Sequence, residues 1–230
     1  MALACHTEAL ALANRISHGP TVAGVINYAA LLHLYRGEPE LALACLDEAQ
    51  ALVAEQQISM ILGPQILRGA GLLALGEISN AISCLREGLP PGRTGGVRTF
   101  GVCLLAQALT QQGECEEALA AISQALRTVD ASGEGLWKAE LHHALGLVLL
   151  TQDQIVESEA RLKEALKVAR DQQAKSWELR AATSLARLWG EQGRRAEAHE
   201  LLAPVYGWLT EGFDTADLKE AKRLLEELAA

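Results

Sequence analysis

Apolar positions along the chain recur with the 3.6-residue period of helices, and five short polar turns interrupt them: "RGEPE" at Gly37, "LGEIS" at Gly76, "QGECE" at Gly113, "TQDQI" at Asp153 and "QGRRA" at Gly193. The turns lie 39, 37, 40 and 40 residues apart. A fixed period in that range is the signature of stacked helical hairpins. Five residues after each turn stands a small residue, Ala42, Ala81, Ala118, Ser158 or Ala198, and four further on a large aliphatic, Leu46, Leu85, Ile122, Leu162 or Leu202. Seven before each turn is Ala30, Gly69, Ala106, Gly146 or Ala186. Small residues at a crossing let two helix backbones approach closely while the aliphatic fills the adjoining hole.

The pattern predicts helices over 3–16, 20–36, 38–56, 64–75, 78–88, 97–112, 114–130, 135–151, 154–171, 174–191, 194–210 and 215–229. Glycine suits the left-handed position that closes the first helix of each pair; Asp153 fits it less well. Pro64 falls in a helix first turn, where its missing N–H costs little. Residues 89–96, "LPPGRTGG", form the longest break and read as a linker, because no Lys-Ser/Thr pair or preceding strand makes them a phosphate loop. The expected architecture is all-α: a right-handed α-solenoid forming one domain over 1–230, with an N-terminal half-repeat at 1–16, repeats at 20–56, 58–88, 97–130, 135–171 and 174–210, and a solvating cap at 214–230.

Composition narrows the chemistry. Half of the 230 residues are apolar but only 4% are aromatic, which favours helices packed through small contacts. A net charge of −9 argues against a nucleic-acid footprint. The most apolar stretch, Ala144–Leu150, is too short to span a bilayer, so no membrane is expected. Five cysteines without CxxC spacing fit a reducing cytoplasm. The histidines are scattered, and His142 and His143 point about 100° apart on a helix, so no metal site and no cofactor is expected. No Ser or Cys shares a local motif with a His and an acid, so no catalytic residue is assigned and the chain reads as a non-enzyme.

What remains is a binding surface. Offsets from the small reference residues place Asn27, Leu31, Ile66, Leu73, Leu104, Gln107, His143, Leu147, Arg180, Thr183 and Arg187 on the groove side of the first helices. Arg180 and Arg187, two turns apart with Thr183 between, could grip a carboxylate or phosphate unless Glu178 or Glu191 neutralises them. The four tryptophans, with Tyr206 and Phe213, are expected to serve packing. Two function classes follow: a groove for a protein or peptide segment, or a small-molecule sensor pocket using His143 and Arg180 or Arg187.

Leu185, Ala186, Trp189, Gly193, Ala198 and Leu202 are the fullest instance of a pattern that resembles an elongated tetratricopeptide repeat. Residues 178–228, with 27–52 and 137–150, resemble the C-terminal region of bacterial multidomain signalling proteins, in which an adenylate/guanylate cyclase or another effector precedes a STAND-type ATPase and a tetratricopeptide array; "LLAPVYGWLTEGFDTADLKEAK" carries most of that likeness. The resemblance implies a cytoplasmic regulatory or scaffold arm that docks on catalytic domains of its own parent chain. The cyclase aspartates and the GxxxxGK[ST] loop of those proteins are lacking, so neither activity carries over. Beginning inside an apolar-periodic helix, the chain reads as a fragment whose first helix could pair with a second copy.

Overall fold

The computed structural model describes residues 2–56, 63–90 and 95–229. Twelve helices account for nearly all of them: α1 (Ala2–Ile16), α2 (Gly19–Arg36), α3 (Pro39–Gln56), α4 (Pro64–Ala74), α5 (Ile78–Gly88), α6 (Gly96–Gln112), α7 (Cys115–Ser132), α8 (Lys138–Thr151), α9 (Ile155–Asp171), α10 (Lys175–Glu191), α11 (Arg195–Gly207) and α12 (Ala216–Ala229). No strand occurs among the described residues, and no described helix is long and apolar enough to cross a membrane. Half of the long break at 89–96, residues 91–94, lies outside the described residues.

The hairpin turns obey backbone sterics. Gly37, Gly76, Gly113 and Gly193 take positive φ, and so does Asp153 at 59°. Each closes its helix with the same pair of bonds; at the first, the Gly37 N–H donates to Leu34 O and the Glu38 N–H to His33 O. Asp153 repeats it, its N–H on Leu150 O and the Gln154 N–H on Leu149 O. A short polar side chain tolerates the left-handed well, so aspartate stands in for glycine. Ser17 and Gln173 also have positive φ, at turns the glycine pattern did not mark.

Two helix ends differ from expectation by three residues, and the others agree to within two. Helix α8 begins at Lys138 rather than 135, because Gly135–Trp137 form a turn in which the Lys138 N–H donates to Gly135 O. Helix α11 stops at Gly207 rather than 210, three residues after Pro204 inside it.

By contact density the chain divides into two compact units, residues 1–108 and 109–230. In the first, α1 packs on α2, α2 on α3 and α4 on α5. Ala30, Ala42, Leu46 and Leu67 form a small core there, flanked by Leu31, Leu34, Leu43 and Phe100. Helix α1 buries only Ala13 and leaves Leu3, Leu12 and Ile16 exposed. In the second, α8 packs on α9, α9 and α11 on α10, and α12 on α10 and α11. Its core runs through Leu162, Ala165, Leu179, Leu185, Leu202 and the inner face of α12, Leu218, Ala221, Leu224 and Leu228.

The small-residue rule has a steric basis in both units. A methyl on Gly69 would sit 2.5 Å from Leu85 Cγ and 3.3 Å from Ala81 O. A methyl on Gly146 would meet Leu162 at 2.9 Å and Ser158 O at 3.3 Å. These neighbours are the residues five and nine places after the corresponding turn, so the spacing in the sequence is the contact in the fold. Where serine replaces alanine, at Ser158, its buried hydroxyl donates to Gly146 O at 2.8 Å. Gly69→Ala is expected to cost roughly 1–3 kcal/mol by forcing Leu85 off its rotamer, less any gain in helix propensity. Urea unfolding measures it, and an unchanged midpoint would show that the α4–α5 crossing can relax.

Candidate functional site

The residues expected on a groove separate into two groups. Asn27, Leu31, Ile66, Leu73, Leu104 and Gln107 belong to the first unit, and His143, Leu147, Arg180, Thr183 and Arg187 to the second. In the first unit only Gln107 is fully exposed, while Leu31 and Leu104 are half-buried. Ile66 is buried against Gly88 and Gly101, where an added Cβ would meet its side chain at 2.7 and 2.9 Å, so it fills a helix crossing and not a groove. Leu73 is buried, and so is Asn27, whose amide has no hydrogen-bond partner among the described residues.

The second unit brings all five of its residues around one cleft of about 250 Å³, between α8, α10 and α12, together with Leu150, Ser184, Asp217 and Glu220. Helical period explains the lining: His143, Leu147 and Leu150 share a stripe of α8, and Arg180, Thr183, Ser184 and Arg187 a stripe of α10. Helix α12 closes the cleft because its apolar face is seated on the core, which points Asp217 and Glu220 at α10.

The arginines are held by the protein itself, though not by the acids on their own helix. Arg180 Nη1 lies 2.7 Å from Glu140 Oε1 on α8, and its Nε 3.9 Å from Asp217 Oδ2. Arg187 Nη2 donates to Glu220 Oε1 at 2.5 Å. Glu178, expected as a neutraliser, instead accepts from Arg170 Nε at 2.9 Å and Lys175 Nζ at 2.7 Å. The Trp177 ring lies 5.5 Å under the Arg180 guanidinium, and Trp137 meets Trp177 at 5.2 Å with the rings tilted by 53°, so a cation–π contact backed by an aromatic pair holds Arg180 in place. His143 Nε2 and Ser184 Oγ are joined by a 2.8 Å hydrogen bond, with His143 Nδ1 3.8 Å from Glu140. Thr183 donates its hydroxyl to Leu179 O, which leaves it only as an acceptor towards a ligand.

The charges are unequally settled. Burial raises the Glu140 carboxyl, but Arg180 and His143 outweigh it and hold it below the usual carboxylate range. Burial raises Asp217 too, and there the attraction of Arg180 does not prevail, because Glu140 and Glu220 repel it as well.

Sequence reasoning missed Glu140, Ser184, Asp217 and Glu220. One signal was present: Glu140 stands six residues before Gly146 and Arg180 six before Ala186, so equivalent places in neighbouring repeats carry opposite charges. Asp217 and Glu220 lie beyond the repeats and have no such register. The expectation that every aromatic is packed fails at Trp208, which is 59% exposed with the Lys175 ammonium 5.1 Å over its ring, and at Phe213, which is exposed beside Tyr206. All five cysteines are free thiols, and among the described residues no cluster could hold a metal ion.

With this geometry in place, the chain can be set beside known proteins. Residues 102–171 match the tetratricopeptide repeat family. No curated protein matches the chain in sequence. Among solved structures it is similar to a Rap protein complexed with Competence and Sporulation Factor, with a TM-score of 0.72 at 14% identity over 92% of this chain; it spans 58% of that protein. It is similar to a thermophilic tetratricopeptide protein of Thermus thermophilus, with a TM-score of 0.66 at 21% identity over 90% of this chain and 100% of the other. The apo form of RapI gives a TM-score of 0.60 at 14% identity, over 90% and 74% of the two chains. Residues 102–171 are therefore tetratricopeptide repeats by sequence, and the chain around them has the all-α fold of tetratricopeptide-like solenoids.

Proposed function

We propose that this protein is a non-catalytic interaction module and that the cleft between α8, α10 and α12 is where a protein or peptide segment binds. The observation that carries this reading is the convergence of three helices on one cleft with an apolar wall, Leu147 and Leu150, beside polar groups already set in place by one another. Preset polar groups next to an apolar wall suit an extended segment, which offers a side chain and backbone groups together. The repeats at 135–171 and 174–210, closed by 214–230, form the binding part in this reading. A similar fold in complex with Competence and Sporulation Factor supports it. The rival, a small-molecule sensor, is disfavoured by size: about 250 Å³ falls below the roughly 300–1,000 Å³ of typical ligand pockets.

The finer reading places the module as the C-terminal arm of a bacterial cyclase/ATPase signalling protein. It rests on the sequence likeness over 178–228. There, a bound segment would act by differing affinity for two docking states of the arm.

A peptide-display selection on the intact chain tests the proposal, with the ATPase and cyclase segments of a parent chain added as competitors. Selected peptides should shift the backbone amides of Leu147 and Ser184 and bind at least about tenfold more weakly to Ser184→Arg, which fills the cleft. Circular dichroism confirms that this variant is folded, and Ser184→Ala controls for loss of the hydroxyl. No enrichment, or equal binding to Ser184→Arg, rules the cleft out. Competition by the parental segments supports the arm; its absence removes that finer part alone.

A further inference from the structure

Five charged or titratable groups line the cleft: His143 from α8, Arg180 and Arg187 from α10, and Asp217 and Glu220 from α12; Glu140 of α8 is buried behind them, against Arg180. Glu140 is closed onto Arg180 at 2.7 Å and Glu220 onto Arg187 at 2.5 Å. Asp217 is held more loosely, by an ion pair with Arg180 Nε at 3.9 Å, and that guanidinium lies 5.5 Å over the Trp177 ring with its Nη1 already 2.7 Å from Glu140. Its carboxyl is pushed upward by burial and by Glu140 and Glu220. Beside these groups run Leu147 and Leu150, and the whole cleft is about 250 Å³.

From this we infer that the cleft receives one cationic side chain, Lys or Arg, of a partner segment, with Asp217 as its counter-charge and Leu147 and Leu150 against its aliphatic stem. The inference rests on the peptide-binding reading above and names the chemistry of the partner. Two guanidiniums are shared among three carboxylates, with Arg180 serving both Glu140 and Asp217, so an incoming cation gives Asp217 a partner of its own, whereas an incoming anion must first displace a carboxylate of the protein. A long basic side chain suits the shape, because its methylenes bury along an apolar wall while the head stays polar. The net charge of −9 draws a basic segment at long range.

The test uses the intact chain and four capped amino acids as probes: N-acetyl-lysine, -arginine, -norleucine and -glutamate methylamides, titrated at constant ionic strength while backbone amide shifts are followed. The lysine and arginine probes should give saturating shifts at Leu147, Ser184 and Asp217, with Kd on the order of 1 mM for ligands of this size. They should bind at least about tenfold more tightly than norleucine. Asp217→Asn should abolish that preference while keeping the parental melting curve, which separates loss of the counter-charge from loss of the fold. Equal binding of norleucine would mean that the wall alone is read, and preference for glutamate that the arginines are the anchor; either overturns the inference, as does the absence of shifts with every probe. Peptides selected as described above that bind at Ser184 without a basic residue would overturn it while leaving the peptide-binding reading intact.

Discussion

Leu162→Ala is expected to lower the unfolding free energy by about 2–5 kcal/mol, at the upper end of single core truncations. The side chain is fully buried, and it seals the crossing where Gly146 of α8 meets α9. The more informative experiment is the cycle with Gly146→Ala. Alone, that methyl would lie 2.9 Å from Leu162 Cγ and Cδ2, so it should destabilise by roughly 1–3 kcal/mol despite the better helix propensity of alanine. In the Leu162→Ala background the crowding is gone and only the 3.3 Å contact with Ser158 O remains, which a shift of a few tenths of an ångström relieves. Gly146→Ala should then be neutral or mildly stabilising. The two changes must couple by about 1 kcal/mol or more in urea unfolding; simple additivity would mean that the small residue is not set by the leucine opposite it.

The second large effect concerns Glu140. Its carboxylate is buried and its charge is met by Arg180, so Glu140→Ala leaves a guanidinium short of its counter-charge and should cost about 3 kcal/mol, the lower part of the range for a broken buried pair because Arg180 is 30% exposed. The sign with pH follows from the lowered carboxyl. The stabilisation from Glu140 is complete above its unfolded-state value of about 4.3 and is lost as pH falls through the lower folded-state value. The parent chain should therefore lose stability over that acid window, and Glu140→Ala should lose less there. Replacing both partners, Glu140→Met with Arg180→Met, should return stability to within about 1 kcal/mol of the parent, since desolvation offsets much of what a buried pair gains. A double variant as unstable as Glu140→Ala would show instead that the pair itself holds α8 to α10.

These two sites also mark how far the chain could be read in advance. The Gly146–Leu162 contact was legible, because a turn at Asp153 fixes both positions by counting: seven before and nine after. The Glu140–Arg180 pair was half legible, since the two stand at one register of neighbouring repeats, and a comparison of charges along that register would have found it. The closure of the cleft by Asp217 and Glu220 was not legible at all. Nor was the burial of Ile66 between Gly88 and Gly101, which removes it from any groove surface.

The division has a physical cause. Most helix limits, the left-handed turns inside the hairpins and the small-against-large crossings depend on steric rules that act over one hairpin, where residues a few positions apart are forced together, and these the sequence by itself determined. Which side chain of one hairpin meets which charge on the next, and what the last helix covers, depends on how the hairpins dock. That docking is governed by apolar contacts such as those of Leu218 and Leu224, which carry no information about the charged groups they bring into reach. The cleft, its paired arginines and its loosely held aspartate were decided only there, in the tertiary structure.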